Sequence, residues 1–178
     1  MRVIRTVWRL EMTDPSQLRP ASGGPPFDLA HCAPDDHADL ARLHAEIGRA
    51  HHWTDRDDWD ARRWRVWLGR PDLHAWRIIV DGRSAGMIEL VVHEDEVELN
   101  TFGLVPAFIG LGLGGATLTR ATILAWELGA PDIRRVYLST NSLDHPRALP
   151  NYLARGYRVY GTDQSVREIP DEGTGSPG

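Results

Sequence analysis

The sequence predicts an α/β (α+β) domain, a mixed and partly antiparallel central sheet flanked by helices in the order β-α-α-β-β-β-α-β-α-β. Two strand-like runs, 75–80 and 85–92, flank Asp81-Gly82-Arg83-Ser84, which is the pattern of a β-hairpin. Further along, strand-like and helical stretches alternate, so a βα crossover follows a hairpin-rich front. The 178-residue length suits one domain with a core of its own.

At the front, Ile4, Thr6, Trp8, Leu10 and Met12 alternate with Arg5, Val7, Arg9 and Glu11, which reads as a strand with one buried face. Residues 13–35 carry Pro15, Pro20, Gly23, Gly24, Pro25, Pro26 and Pro34 and read as a long irregular crossing. A helix is expected from about Asp36, with Leu40, Leu43 and Ile47 on one face, and a break over 48–53. A second helix runs from about Asp57 to Leu68 and stops at Gly69-Arg70-Pro71. After the hairpin, Glu94-Asp95-Glu96 turns into a strand over 97–104. A helix from about Gly112 to Leu128 ends at Gly129-Ala130-Pro131. A strand over 135–140, a helix over 145–155 and a last strand over 157–161 complete the domain, which occupies residues 1–169. The Gly- and Pro-rich stretch 170–178 is expected to be a disordered tail.

Composition limits the function. The net charge of −5 and the lack of a basic block argue against a nucleic-acid partner. A single cysteine, Cys32, fits a reducing compartment and reads as a bystander thiol. Arg2, Arg5, Arg9 and Glu11 interrupt the first residues, and no apolar run nears about 18 residues. A cytoplasmic protein without a membrane partner is expected, as a monomer or homodimer.

The chemistry concentrates at Leu104-Val105-Pro106-Ala107-Phe108-Ile109-Gly110-Leu111-Gly112-Leu113-Gly114-Gly115. A strand, a glycine-rich bend and a helix start place several backbone N–H groups around one point, where the helix dipole adds positive charge. That is an anion site, most often for phosphate or pyrophosphate. A Walker loop would need Lys at the helix start, and Gly-Gly-Ala-Thr stands there instead. The string Gly110-x-Gly112-x-x-Gly115 matches a dinucleotide fingerprint, but it lies after antiparallel-looking strands rather than in a first βαβ unit.

This junction resembles the GNAT superfamily of acyl-CoA-dependent N-acyltransferases, whose pattern here is hydrophobic-x-Pro-x-x-Arg/Gln-x-x-Gly-x-Gly/Ala. Leu104, Pro106, Gly110, Gly112 and Gly114 fit it. Ile109 stands where Arg or Gln is usual, so a side-chain donor is missing while the backbone N–H remains. A second block, His145 to Tyr157, is similar to the family's Asn-x-x-Ala-x-x-hydrophobic-Tyr-x-x-hydrophobic-Gly-Phe. There His145, Ala148, Tyr152, Gly156 and Tyr157 take the Asn, Ala, Tyr, Gly and Phe places. Trp53-Thr54-Asp55-Arg56 is similar to a motif near the front of a bacterial subgroup.

The resemblance implies a sheet splayed between the 97–104 and 135–140 strands, with acetyl-CoA as cosubstrate in the gap. It implies cosubstrate contacts from Leu104, Val105, Ile109, Gly110, Leu111, Gly112, Leu113, Gly114, Gly115, His145, Ala148 and Tyr152. The activity it implies is acetyl transfer to a primary amine of a small molecule or peptide. Acyl transfer needs a neutral amine, a donor for the carbonyl oxygen and a proton for the leaving thiolate. The Leu104 N–H is the implied oxyanion donor and Tyr152 the implied acid, its phenol being protonated at neutral pH. Glu98 and Glu89 compete as base: Glu98 shares a strand face with Leu104 by period 2, and Glu89 sits in an apolar strand.

The loop holding His52, Trp53 and Arg56 would line the acceptor site, either binding an apolar or carboxylate part of the acceptor or forming a plug capped by an ion pair. Adjacent His51 and His52 lack a third spaced ligand, so no metal is expected. Trp59, Trp64 and Trp67 read as core packing, and Asp144 as a cap for the helix after it. Rival readings are a CoA-binding sensor without turnover, an acyltransferase for longer acyl-CoA and, more distantly, a nucleotide-dependent oxidoreductase.

Overall fold

One seven-stranded sheet carries the molecule, in a computed structural model that describes residues 1–129 and 131–169. The expected tail from residue 170 and Ala130 of the helix stop lie outside the described residues. The strands are β1 (Arg2–Met12), β2 (Asp28–His31), β3 (Leu73–Val80), β4 (Arg83–His93), β5 (Glu96–Leu104), β6 (Arg135–Asn141) and β7 (Arg158–Glu168). The helices are α1 (His37–Gly48), α2 (Ala61–Leu68), α3 (Leu113–Leu128) and α4 (Ala148–Ala154). Spatial order is β2-β3-β4-β5-β6-β1-β7, and every neighbouring pair is antiparallel except β5–β6.

Local chemistry explains much of this. Asp81 and Gly82 adopt positive φ values of 48° and 72°, giving the two-residue turn that matches strand twist and joins β3 to β4. Asp60 accepts from the Arg63 N–H at 2.8 Å and caps α2, which therefore starts later than Asp57. In the Pro-rich crossing the four residues of β2 find edge pairing on β3, so that stretch is not wholly irregular.

The first strand is an inner strand over part of its length. β1 lies between β6 and β7 rather than at the sheet edge. β6 pairs only with Val7–Met12, whereas β7 pairs from Arg2 onward and extends to Glu168. Leu10 and Met12 are fully buried, but the other end projects as a two-stranded ribbon. Ile4 there is 68% exposed, so the alternation does not bury a whole face.

Two irregularities in β5 shape the centre. Its pairing with β6 covers Glu96–Glu98 against Arg135–Tyr137 and stops, after which the parallel strands diverge. Against β4, Glu89 pairs with Thr101 and Leu90 with Leu99, leaving Asn100 as an extra residue in a β-bulge. Beyond it, an ideal Cβ on Gly103 would meet Ile47 of α1 and the Trp53 ring, whereas the neighbouring Phe102 ring meets Tyr152 of α4. Adjacent strand residues point oppositely, so α1 and α4 cover opposite faces of β5.

Candidate active site

The diverging ends of β5 and β6 open a cavity of about 840 Å³. Its walls come from residues 99–104 of β5, residues 139–141 of β6, the glycine bend, α4, and the segment between α1 and α2. Both strands present their carboxyl ends here, the usual place for a ligand in a sheet with parallel strands.

The Leu104 backbone is set by register. Leu104 faces Gly86, and the Val105 N–H bonds to the Ala85 carbonyl at 2.9 Å. That pattern makes Leu104–Gly86 a non-hydrogen-bonded pair in the antiparallel ladder. The Leu104 N–H therefore points away from β4, toward the side where β6 has parted.

The bend continues from it. Gly110 and Gly112 adopt φ of 85° and 83°, which a side chain would strain. No atom lies within 4 Å of an ideal Cβ on Gly110. On Gly112 a Cβ would stand 3.0 Å from the Gly24 nitrogen, so this glycine serves close packing of the 23–24 loop against the bend. Gly112 precedes α3, whose first-turn N–H groups have no helical acceptor. Asn151 of α4 donates to the Gly114 carbonyl at 3.0 Å and pins the two helices together. Ile109, Gly110, Gly112, Gly114, Gly115, His145, Ala148 and Tyr152 all line the cavity. Val105 and Leu113 instead turn into the core, and Leu111 is exposed.

Tyr152 lies on the α4 side, its ring edge-on to Phe102 and Tyr157 at centroid distances of 6.4 and 6.1 Å. Burial, with Asp144 and Tyr157 nearby, pushes its phenol well above the ordinary value. Its hydroxyl finds no hydrogen-bond partner among the described residues and stays available to donate. His145 accepts the Arg147 N–H at Nδ1, which leaves the ring proton on Nε2. Burial, His51 and Arg147 lower the pKa of that ring.

The two glutamates part company. Glu89 is wholly buried and does not line the cavity. Its carboxylate accepts from both Arg56 terminal nitrogens at 2.7 and 2.8 Å, Thr101 at 3.0 Å, Asn100 at 3.1 Å and Trp67 at 3.3 Å. Burial raises its pKa, but Arg56, Thr101 and Asn100 outweigh that and hold it below the ordinary carboxylate value. Every lone pair is engaged, which is poor equipment for a base. Glu98 pairs with His93 at 3.1 Å, where β5 and β6 are still joined, and is not among the lining residues. The extra residue at Asn100 breaks the period-2 link expected between Glu98 and Leu104.

Arg56 is also spoken for. Besides Glu89, its guanidinium is enclosed by the Trp59, Trp64 and Trp67 rings at 4.8, 5.1 and 4.9 Å. This is the plug capped by an ion pair: Arg56 lines the cavity, but its charge is already matched by Glu89 and Asp55. Trp53 lines the cavity and donates to Asp144 at 3.2 Å. His52 takes a left-handed φ of 54° and does not line the cavity, whereas His51 does. Asp144 does not cap α4, whose N-cap is Arg147. It turns back on β6, accepting from Thr140 Oγ1 at 2.7 Å and the Asn141 N–H at 2.9 Å. Cys32 is buried away from this region, and burial raises its thiol pKa.

Arg5, His51, Asp55, Ser139 and Asn151 also line the cavity. Asp55 stood inside the Trp-Thr-Asp-Arg stretch. Arg5 carried no local signal, since it arrives only through the pairing of β1 with β6.

The chain belongs to the acetyltransferase (GNAT) family, whose model matches residues 38–157. No curated protein matches the sequence. Among solved structures, a GCN5-related N-acetyltransferase from Kribbella flavida is similar over 93% of this chain and 58% of its own, with 20% identity and a TM-score of 0.63. One from Sphaerobacter thermophilus is similar over 92% of this chain and 50% of its own, with 15% identity and a TM-score of 0.69. An aminoglycoside acetyltransferase from an uncultured soil metagenomic sample, in complex with trehalose, is similar over 72% of this chain and 86% of its own, with 14% identity and a TM-score of 0.57. These identities speak for the fold, and this chain spans about half the length of the first two proteins. Among the described residues no helix is long and apolar enough to cross a membrane.

Proposed function

We propose that the protein is an N-acetyltransferase that moves the acetyl group of acetyl-CoA to a primary amine of a small molecule or peptide by direct attack. The observation that carries this reading is the Leu104 N–H turned into a gap whose other wall holds an unpartnered, protonated Tyr152 hydroxyl. When bound, acetyl-CoA supplies an activated acyl group as a thioester. The N–H groups at the start of α3, with open space at Gly110, suit its pyrophosphate and make up for the donor missing at Ile109.

Each residue then has one task. Leu104 N–H donates to the thioester oxygen as negative charge develops there. Tyr152 donates its proton to the departing sulfur. His145 Nε2–H is a donor for the amide-bearing arm of CoA. With Glu89 saturated and Glu98 outside the cavity, the proton of the attacking amine leaves to solvent through the open mouth. The reading places the enzyme in the cytoplasm, as a monomer or homodimer with neither nucleic acid nor membrane as partner.

The test is turnover. Acetyl-CoA and longer acyl-CoAs are offered with a panel of amines, and free CoA thiol and acylated product are measured together. Acetylated amine is expected. CoA binding without product from any amine would leave a CoA-binding module instead, and a higher rate with a longer chain would reassign the acyl group.

A further inference from the structure

Arg5 is the cavity residue that the chemistry above leaves unused. It lines the cavity and is half-buried, yet its guanidinium has neither an ion pair nor a hydrogen bond among the described residues. The register fixes its position. Val7 pairs with Asn141, and the Thr6 N–H is held by Ser142 Oγ at 3.0 Å, so Arg5 follows directly past the carboxyl end of β6. Arg5, Val7 and Arg9 share one face of β1, where Asn141 of β6 stands opposite Val7 and Ser139 opposite Arg9. Arg5, Ser139 and Asn141 line the cavity together on the β1–β6 side.

The anion site at Gly110–Gly115 lies on the other side of the gap, beyond β5. The other lining guanidinium without an ion pair among the described residues, Arg147, is exposed at the N-cap position of α4, its N–H on His145, the residue assigned above to the arm of CoA. The carboxylates that line the cavity leave Arg5 alone. Asp144 is engaged by Trp53, Thr140 and Asn141, and Asp55 stands by Arg56 and His44 at 3.6 and 3.8 Å.

We propose that the acceptor is an amine that also carries a carboxylate, as an amino acid or small peptide does, and that Arg5 binds this carboxylate. The proposal rests on the acetyl-transfer reading. A planar guanidinium offers a carboxylate two parallel N–H bonds, so it selects for the group as well as attracting charge. Arg5 is thereby a specificity residue that fixes the amine at the Leu104 end of the gap and takes no part in bond making.

The experiment compares matched acceptors: leucine, leucinamide and isoamylamine, and phenylalanine, phenylalaninamide and phenethylamine. Rates are referred to the free-base concentration of each, since the carboxylate changes the amine pKa. With the wild-type protein the acids are expected to exceed their amides and decarboxylated amines in kcat/KM by about tenfold or more. Arg5→Gln should remove that preference through KM on the acids alone, leave the neutral amines and the melting temperature unchanged, and be partly rescued by Arg5→Lys. Acids no better than their neutral partners, or an Arg5→Gln loss that falls equally on all, overturns the assignment while the acetyl-transfer reading stands. No turnover of any acceptor overturns both.

Discussion

Glu89→Gln separates a buried structural carboxylate from a catalytic base. Gln keeps the shape but removes the charge, leaving Arg56 buried among three tryptophans with only the exposed Asp55 at 3.6 Å as counter-ion. Removing one partner of a buried pair costs about 3–5 kcal/mol. For a domain of this size that is a fall in melting temperature of roughly 6–20 °C. The pH dependence has a definite sign. The folded-state pKa of Glu89 is depressed, so the stability contributed by its charge is present above the ordinary carboxylate range and is lost as pH falls through the folded value. The gap between wild type and variant should be widest at neutral pH and narrow in acid. Thermal and denaturant unfolding across pH, alongside steady-state kinetics, measure both. A double replacement, Arg56→Met with Glu89→Leu, should regain part of the loss, because apolar packing substitutes for a buried pair without its desolvation cost. A Glu89→Gln protein with wild-type stability, and a kcat/KM deficit that vanishes at high pH, would refute this reasoning and make Glu89 the base.

Other substitutions probe the remaining groups. Tyr152→Phe should lower kcat by about 10²-fold to 10⁴-fold and leave CoA affinity nearly unchanged, as loss of one general acid does; an unchanged kcat in a chemistry-limited assay would make the tyrosine structural. Glu98→Gln should leave the pH–rate profile as it is, since its carboxylate faces His93 outside the cavity; a neutral-pH loss that recovers at high pH would restore it as a base. Gly112→Ala, at φ 83° and against the Gly24 backbone, should cost about 1–2 kcal/mol in stability. By contrast Gly114→Ala meets only Asn151 Nδ2, at 3.6 Å, and should keep the fold while weakening CoA binding, both read by unfolding and titration calorimetry.

Features written in neighbouring residues were legible from the sequence. Asp81-Gly82 announced its turn, and the glycine-rich bend announced a strand-to-helix junction. The GNAT likeness supplied the splay of β5 from β6, which no periodicity contains. What stayed hidden depends on partners far along the chain. β1 slots between β6 and β7 through pairings more than 120 residues apart, so nothing near Arg5 reveals that it reaches the cavity. The extra residue at Asn100 exists only relative to β4, and it is what broke the alternation relied on for Glu98. Arg56 stayed open between an acceptor-binding cation and an ion-paired cap because its partner Glu89 lies 33 residues away. Asp144 looked like a helix cap because the competing acceptor duty, at the end of β6, arises only once the strand is in place.

Calorimetric titration of the full chain with CoA, checked by thermal unfolding, tests most directly that the gap between β5 and β6 is an acyl-CoA site. Saturable one-to-one binding is expected, with a stabilisation of about 2.7 kcal/mol at a hundredfold excess over Kd. That corresponds to a rise of roughly 5–11 °C in melting temperature, and the response should weaken in Gly114→Ala. No heat and no shift at millimolar CoA would contradict the assignment of the cavity and, with it, the proposed reaction.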